Sequence, residues 1–272
     1  MTGDRSDPTP HVPTGPVPSS EEGRRLLDLV KVMARLRGPD GCPWDREQTH
    51  ETLARHLLEE THELIEAIDV GNSEAIRDEL GDLLLQVVFH AEIASDEGRW
   101  DVDDVASRLV EKLVHRHPHV FGEVEVSGSE EVLTNWEKLK AEEGSGPRPG
   151  VGDEIPATLP ALARAAKVQR RAAGWGVEWA SPEAALAALR EEVGELSGGS
   201  DDAEREIGEV LFAAVAAARK LGVDAESALR RTTRGFAERY ERHRALAEER
   251  GLDLERVSED EVRDLFREVR DP

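Results

Sequence analysis

The stretch LLEETHELIEAIDVGNSEAIRDELGDLLLQVVFHAEIA, residues 57–94, decides the fold. Its apolar residues recur at three- and four-residue spacing on either side of Gly71-Asn72, which predicts two amphipathic helices separated by a tight turn. The first is expected over about 51–69. The second, capped by Ser73, is expected to end near Gly98. Within them Glu60/Glu63 and Glu79/Asp82 are i,i+3 pairs, with Glu59 beside the first, so each pair projects from one helix face. If the helices pack antiparallel across the turn, the two pairs face each other. Carboxylates gathered in this way repel unless cations hold them, and an all-oxygen ligand set suits a hard ion such as Mg2+ or Mn2+.

The pattern recurs further along. ALREEVGEL (188–196) and AEREIGEVLFAAVAAA (203–218) place Glu191, Glu192, Glu195, Glu206 and Glu209 at the same relative spacings. Two copies point to a duplicated helical hairpin rather than a solenoid. In each copy the second acidic pair stands directly before an apolar run. A glycine, Gly81 or Gly208, lies between the paired acids, although helix propensity disfavours glycine by about 1 kcal/mol. These features weigh against the simpler reading, a solvated helix face.

Outward from the hairpin, residues 1–19 are rich in Pro, Thr, Ser and Gly and predict a disordered tail. Residues 20–143 form a first helical domain. It opens with a helix capped by Ser19-Ser20 and stopped at Gly38, followed by a loop over 38–50. After the hairpin come a helix over about Asp103–His117, closed by Pro118, and a short helix around Asn135-Trp136-Glu137-Lys138. Residues 144–158 are a Gly/Pro-rich linker. Residues 159–272 form a second helical domain, with helices over about 159–173, from Ser181-Pro182, from Ser200, from Asp224 to about Arg250, and from Ser258. No period-two run exceeds VFGEVEV (120–126). The expected fold is all-α, a duplicated helical bundle.

Composition narrows the function. The chain has 272 residues, 35 Lys and Arg, and 58 Asp and Glu, for a formal charge of −23. That balance excludes binding a nucleic-acid polymer through bulk charge. A phosphate-bearing ligand would need local Lys or Arg, or a metal ion. No run approaches about 18 apolar residues and no signal pattern opens the chain, so a cytoplasmic protein without a membrane span is expected. Cys42 is the only cysteine, which excludes an internal disulfide and a Cys-cluster metal site.

LLDLVKVMARLRGPDGCPWDREQTHETL (26–53), LLEETHELIEAI, DELGDLLLQVVFHA, EKLVHRHPHVFGE (111–123) and NWEKLKAEE (135–143) together closely resemble the MazG family of nucleoside triphosphate pyrophosphohydrolases. LPALARAAKVQRRAAGWGVEW (159–179) and the second hairpin resemble the rest of a two-copy member. The likeness covers about residues 22–270, and G-C-P-W-D followed by Q-T-H is its most specific part. It implies an all-α, usually homodimeric protein that hydrolyses NTPs and dNTPs to the monophosphate and pyrophosphate with Mg2+. The family's E-E-x-x-E and E-x-x-D hallmark is met by Glu59, Glu60, Glu63, Glu79 and Asp82. Glu60, Glu63, Glu79 and Asp82 are the expected metal ligands. Glu59 is either a further ligand or the base that orients water.

A triphosphate carries about four negative charges, so metal ions must reverse the sign of such a site. Positioning and charge supply most of phosphoryl-transfer catalysis, and no protein nucleophile is needed. Lys112, Arg116, Lys138 and Lys140, in family-like segments, are candidates for the phosphates. Trp136 could stack on a base or fill a core. His115, His117 and His119 are scattered by Pro118 and read as phosphate contacts or packing rather than a zinc site.

Copy one is expected to be the intact site. Copy two has Glu209 where the hallmark has Asp, and is either a weakened site or a structural partner. Two other classes compete. A ferritin-like di-iron protein needs two E-x-x-H pairs, and only Glu59-x-x-His62 is present. A non-catalytic dimerisation or regulatory module would leave the acids solvated.

Overall fold

The computed structural model describes residues 24–122, 150–153, 155–198 and 202–252, together with 124, 126–128, 132 and 135. Among the described residues there are helices and no strand, so the chain is all-α. Contacts divide it into two units, Met1–Ser145 and Gly146–Pro272. The 1–19 tail, the Ser19-Ser20 cap, Trp136 to Lys140 and the helix expected from Ser258 lie outside the described residues.

The first unit contains α1 (Arg24–Arg37), α2 (Pro43–Glu47), α3 (His50–Val70), α4 (Ser73–Asp96), α5 (Val102–Arg116) and α6 (Pro118–Phe121). A capping box starts α3: the Thr49 side chain accepts from the Thr52 amide, and Thr52 Oγ1 accepts from the Thr49 amide at 2.9 Å. Gly71 ends it in the left-handed region (φ 75), a conformation that disfavours side chains with a Cβ. Asn72 then caps α4, its Oδ1 accepting from the amides of Glu74 and Ala75. Asn72 therefore takes the capping place expected of Ser73, which is the first residue of the helix.

One half of this α3–α4 hairpin is covered. Met33, Leu53, Val88, Phe89 and Ile93 form its buried cluster, with Leu29, Val30, Leu36, Leu85 and Val102 against them. Burial of such side chains contributes about 1.5–3 kcal/mol each. Arg37 ties the ends together, with Nε on Asp96 at 2.8 Å and Nη1 on the carbonyls of Asp45 (2.5 Å) and Gln48 (3.3 Å). The loop expected over 38–50 thus contains a helical turn, α2, with Pro43 at its start. Pro118 does double duty: α5 ends before it, and it opens α6.

The second unit contains α7 (Ala161–Gly174), α8 (Pro182–Ser197), α9 (Ala203–Lys220) and α10 (Ala225–Glu249). Ser181 caps α8 by accepting from the Ala184 amide, and Asp224 caps α10 by accepting from Ser227. Asp202 caps α9, with Oδ1 accepting from the Arg205 amide. The cap had been expected at Ser200, which lies outside the described residues. The core here is made of small residues, Ala185, Ala213, Val215, Ala216 and Ala217, which let helix backbones approach closely.

Candidate functional site

The half of the α3–α4 hairpin nearer the Gly71 turn carries the acids. Across it, carboxylate oxygens of Glu60, Glu79 and Asp82 lie within 4.8 Å of one another. Glu60 and Glu79 are half-buried and Asp82 is exposed. Burial first, and then the neighbouring acids Asp82, Glu63, Glu79 and Glu59, pushes the Glu60 carboxyl above its ordinary range. Burial also raises Glu79, followed by the charges of Glu63, Asp82 and Asp78. Both shifts describe a site short of positive charge.

Among the described residues no Lys or Arg side chain pairs with Glu60, Glu79 or Asp82. The nearby Arg77 bonds Glu74 at 2.7 Å and Asp78 at 3.2 Å instead. Carboxylates alone, mutually close and lacking a side-chain cation, fit a hard divalent ion. Glu63 stands outside the converged three, although its charge is felt by both Glu60 and Glu79. Glu59 is also outside, its Oε2 held by His56 Nδ1 at 3.1 Å. His62, the would-be iron ligand, joins no metal-competent group among the described residues.

The second unit brings its acids together as well. Oxygens of Glu192, Glu195, Glu206 and Glu209 lie within 4.8 Å of one another, and Glu191 stands apart. Burial, followed by Glu195, Glu209, Glu206 and Glu191, raises the Glu192 carboxyl. This cluster has a feature that the acid spacing did not reveal. The Arg205 guanidinium lies on it, Nη1 reaching both oxygens of Glu209 (2.7 and 2.8 Å) and Nη2 reaching Glu206 Oε1 (2.5 Å). Setting AEREIGE beside IRDELGD would have exposed it, because Arg205 stands where copy one has Asp78.

Of the cations expected for phosphates, Lys112 and Arg116 lie on α5. Lys112 and His115 line an open groove along α5 with Arg99, Trp100 and Arg108, and none of the five acids of copy one lines it. Arg116 ends α5. Trp136, Lys138 and Lys140 lie outside the described residues. His117 Nδ1 bonds the Leu113 carbonyl at 2.7 Å, and its ring lies 5.7 Å from that of His119. Those histidines form no metal-competent group among the described residues.

Comparison with known proteins bears on both units. The family model for the MazG nucleotide pyrophosphohydrolase domain matches residues 48–121, which include all five acids of copy one. The chain is 44% identical over 239 residues to the nucleoside triphosphate pyrophosphohydrolase/pyrophosphatase MazG of Thermotoga maritima, covering 87% of this chain and 92% of that protein. It is 39% identical over 251 residues to the nucleoside triphosphate pyrophosphohydrolase of Escherichia coli, covering 89% and 95%. A Mycobacterium tuberculosis protein of the same name is 46% identical over 157 residues, 57% of this chain and 47% of its own length. Identity at this level, sustained along nearly the whole of the first two relatives, places the chain in the MazG family.

Proposed function

We propose that this chain hydrolyses nucleoside triphosphates, ribo- or deoxyribo-, to the monophosphate and pyrophosphate, and that the first unit carries the reaction. The observation behind this reading is the convergence of Glu60, Glu79 and Asp82, with no Lys or Arg among the described residues paired to them. The names of the relatives agree with it. Glu60, Glu79 and Asp82, with Glu63 beside them, would hold Mg2+ or Mn2+. When bound, such an ion offsets the triphosphate's charge and lowers the pKa of a coordinated water.

The protein's own groups then have separable tasks. Glu60 and Glu79 project from within regular helices, whose fixed backbone sets where the ligand oxygens start from before substrate arrives. Glu59, outside the converged set and bonded to His56, serves either as a further ligand or as the base that orients the attacking water. Lys112 and Arg116 on α5, with Lys138 and Lys140 of the family-like segment, are the candidates to bring positive charge to the phosphate oxygens once substrate is bound. Trp136 offers a face for the base. Substrate is a free nucleotide rather than a nucleic-acid polymer, consistent with the excess of acid.

We assign the assembly as a homodimer. Leu57, Leu58, Leu80, Leu84 and Val87 are exposed on the α3–α4 hairpin beside the acids, an apolar strip that a second copy would cover. No helix among the described residues is long and apolar enough to cross a membrane. A cytoplasmic enzyme acting on the nucleotide pool fits these features.

The test uses the full chain with Mg2+ and each NTP or dNTP, assaying pyrophosphate and orthophosphate separately. Pyrophosphate is the expected product. Orthophosphate alone would point to a phosphatase, and neither product would favour a non-catalytic helical module.

A further inference from the structure

The two acid clusters differ in one residue that decides what can sit between their carboxylates. In the second unit Arg205 directly precedes Glu206 and stands one helical turn before Glu209, so its side chain lies along the face that carries both acids. In the first unit the arginine is displaced by one position. Arg77 stands one turn before Gly81, on a different face, and its guanidinium goes to Glu74 and Asp78. The position equivalent to Arg205 is Asp78, of opposite charge.

The second cluster is a built ligand set. Glu206 is 3% exposed, and its Oε2 is buried with no hydrogen-bond partner. A buried carboxylate oxygen left unpaired is costly, and it lies in a set of four acids whose oxygens otherwise meet the spacing of the first site. Yet Glu206 Oε1 and both oxygens of Glu209 are already taken by one guanidinium. Two charge-assisted contacts of this kind are among the stronger polar interactions available to a protein. A divalent ion would have to displace that fork from three of the oxygens it needs.

We propose that Arg205 is the resident cation of the second cluster, occupying the place of a divalent ion and so confining metal loading to the first unit. The chain thereby keeps a second acidic hairpin folded without filling it. Arg205 is a specificity-determining residue between two similar ligand sets, and Glu206 Oε2 marks where an ion would gain a ligand if the guanidinium were removed. This inference rests on the reading of the acids as divalent-ion ligands.

Mn2+ binding to the full chain, followed by the electron paramagnetic resonance signal of free Mn2+ and by calorimetry, separates the two clusters. In an E60Q background, which disables the first cluster, only weak Mn2+ binding is expected. Adding R205A should create a class of sites at least about tenfold tighter, equal to 1.4 kcal/mol, and E206Q on top of both should abolish it. R205M, which keeps the apolar stem, serves in place of R205A should the shorter side chain unfold the unit. R205K, retaining charge without the fork, should fall between. The proposal is overturned if E60Q alone keeps tight sites that E206Q removes, or if neither R205A nor R205M tightens binding. Failure of the metal reading is a separate result, in which E60Q loses no Mn2+ relative to the unsubstituted chain.

Discussion

His50 and His90 share one hydrogen between Nδ1 atoms 2.7 Å apart, their ring planes within 7° of each other and their centroids 5.0 Å apart. The partners fix who donates. Arg99, which is always a donor, reaches His50 Nε2 at 2.9 Å, so that nitrogen accepts. His50 Nδ1 therefore carries the proton and donates to His90 Nδ1, and His90 keeps its own proton on Nε2. Together they fasten the start of α3 to the second half of α4. Trp100 stacks on the outer face of His50 at 6.1 Å.

Acid should loosen this fastening. Burial, and then the electrostatic influence of the neighbouring His50, holds His90 below the ordinary imidazole value of 6.5. The unfolded chain thus takes up a proton at higher pH than the folded one. The contribution to stability is complete above about pH 6.5 and is lost as pH falls through the folded titration. His90→Asn leaves an acceptor for His50 but nothing to protonate. Melting temperature between about pH 7 and 5 should therefore fall less steeply in H90N than in the unsubstituted protein, and parallel curves would refute the shared-proton arrangement.

Glu60→Gln and Glu192→Gln distinguish the two clusters in turnover. Removing one ligand from the first site should lower pyrophosphate release by about 100-fold or more, or about 2.7 kcal/mol of barrier. E192Q should stay within about twofold of the unsubstituted chain. If only E192Q abolishes turnover, the catalytic assignment belongs to the second unit.

Gly81 and Gly208 invite a stability test. A Cβ built at either meets nothing within 4 Å. Alanine should therefore stabilise each helix by about 1 kcal/mol on propensity alone. Urea unfolding of G81A and G208A, with chelator present, checks it. A loss of stability at either position would mean that another surface, a second copy above all, lies against that face.

Arg37 should be expensive to lose. Its side chain is 8% exposed, and it joins Asp96 to two carbonyls around α2. Because Asp96 is itself half-exposed, the ion pair alone counts for less than a buried one. With the Gln48 carbonyl losing the guanidinium as well, and that of Asp45 keeping only the Gln48 amide, R37A should cost about 2–3 kcal/mol in urea unfolding. R37K, keeping the charge but not the fork, should recover only part of it.

Local relationships were the legible ones. The Gly71 turn, the Glu79/Asp82 pair and the Ser181-Pro182 start all follow from spacing within a few residues, and the structure has them, whereas Glu63 of the other pair stays outside the converged set. Asn72 and Ser73 are both competent caps, and which one serves depends on where Gly71 leaves the chain. Pro118 was legible as a stop but equally permitted the start that follows it. The His50–His90 contact joins positions 40 residues apart and had no local trace. Arg205 was visible but silent, since a cation four residues before an acid is usual on any solvated helix. Its meaning came only with the burial of Glu206.

The tight turn at Gly71 and Asn72 has a kinetic consequence. Glu60, Glu79 and Asp82 all come from one hairpin, so bringing them together requires closing only a short loop, at little entropic cost. The buried cluster that supports them, from Met33 to Ile93, is complete by the end of α4. A growing chain therefore contains the whole ligand set, and every one of the bracing apolar residues except Val102, before α5 has been made. Contacts of such low order form quickly. An ion present at that moment would bind the nascent hairpin and favour its native pairing over slower, longer-range alternatives, making the site a participant in folding as well as its product.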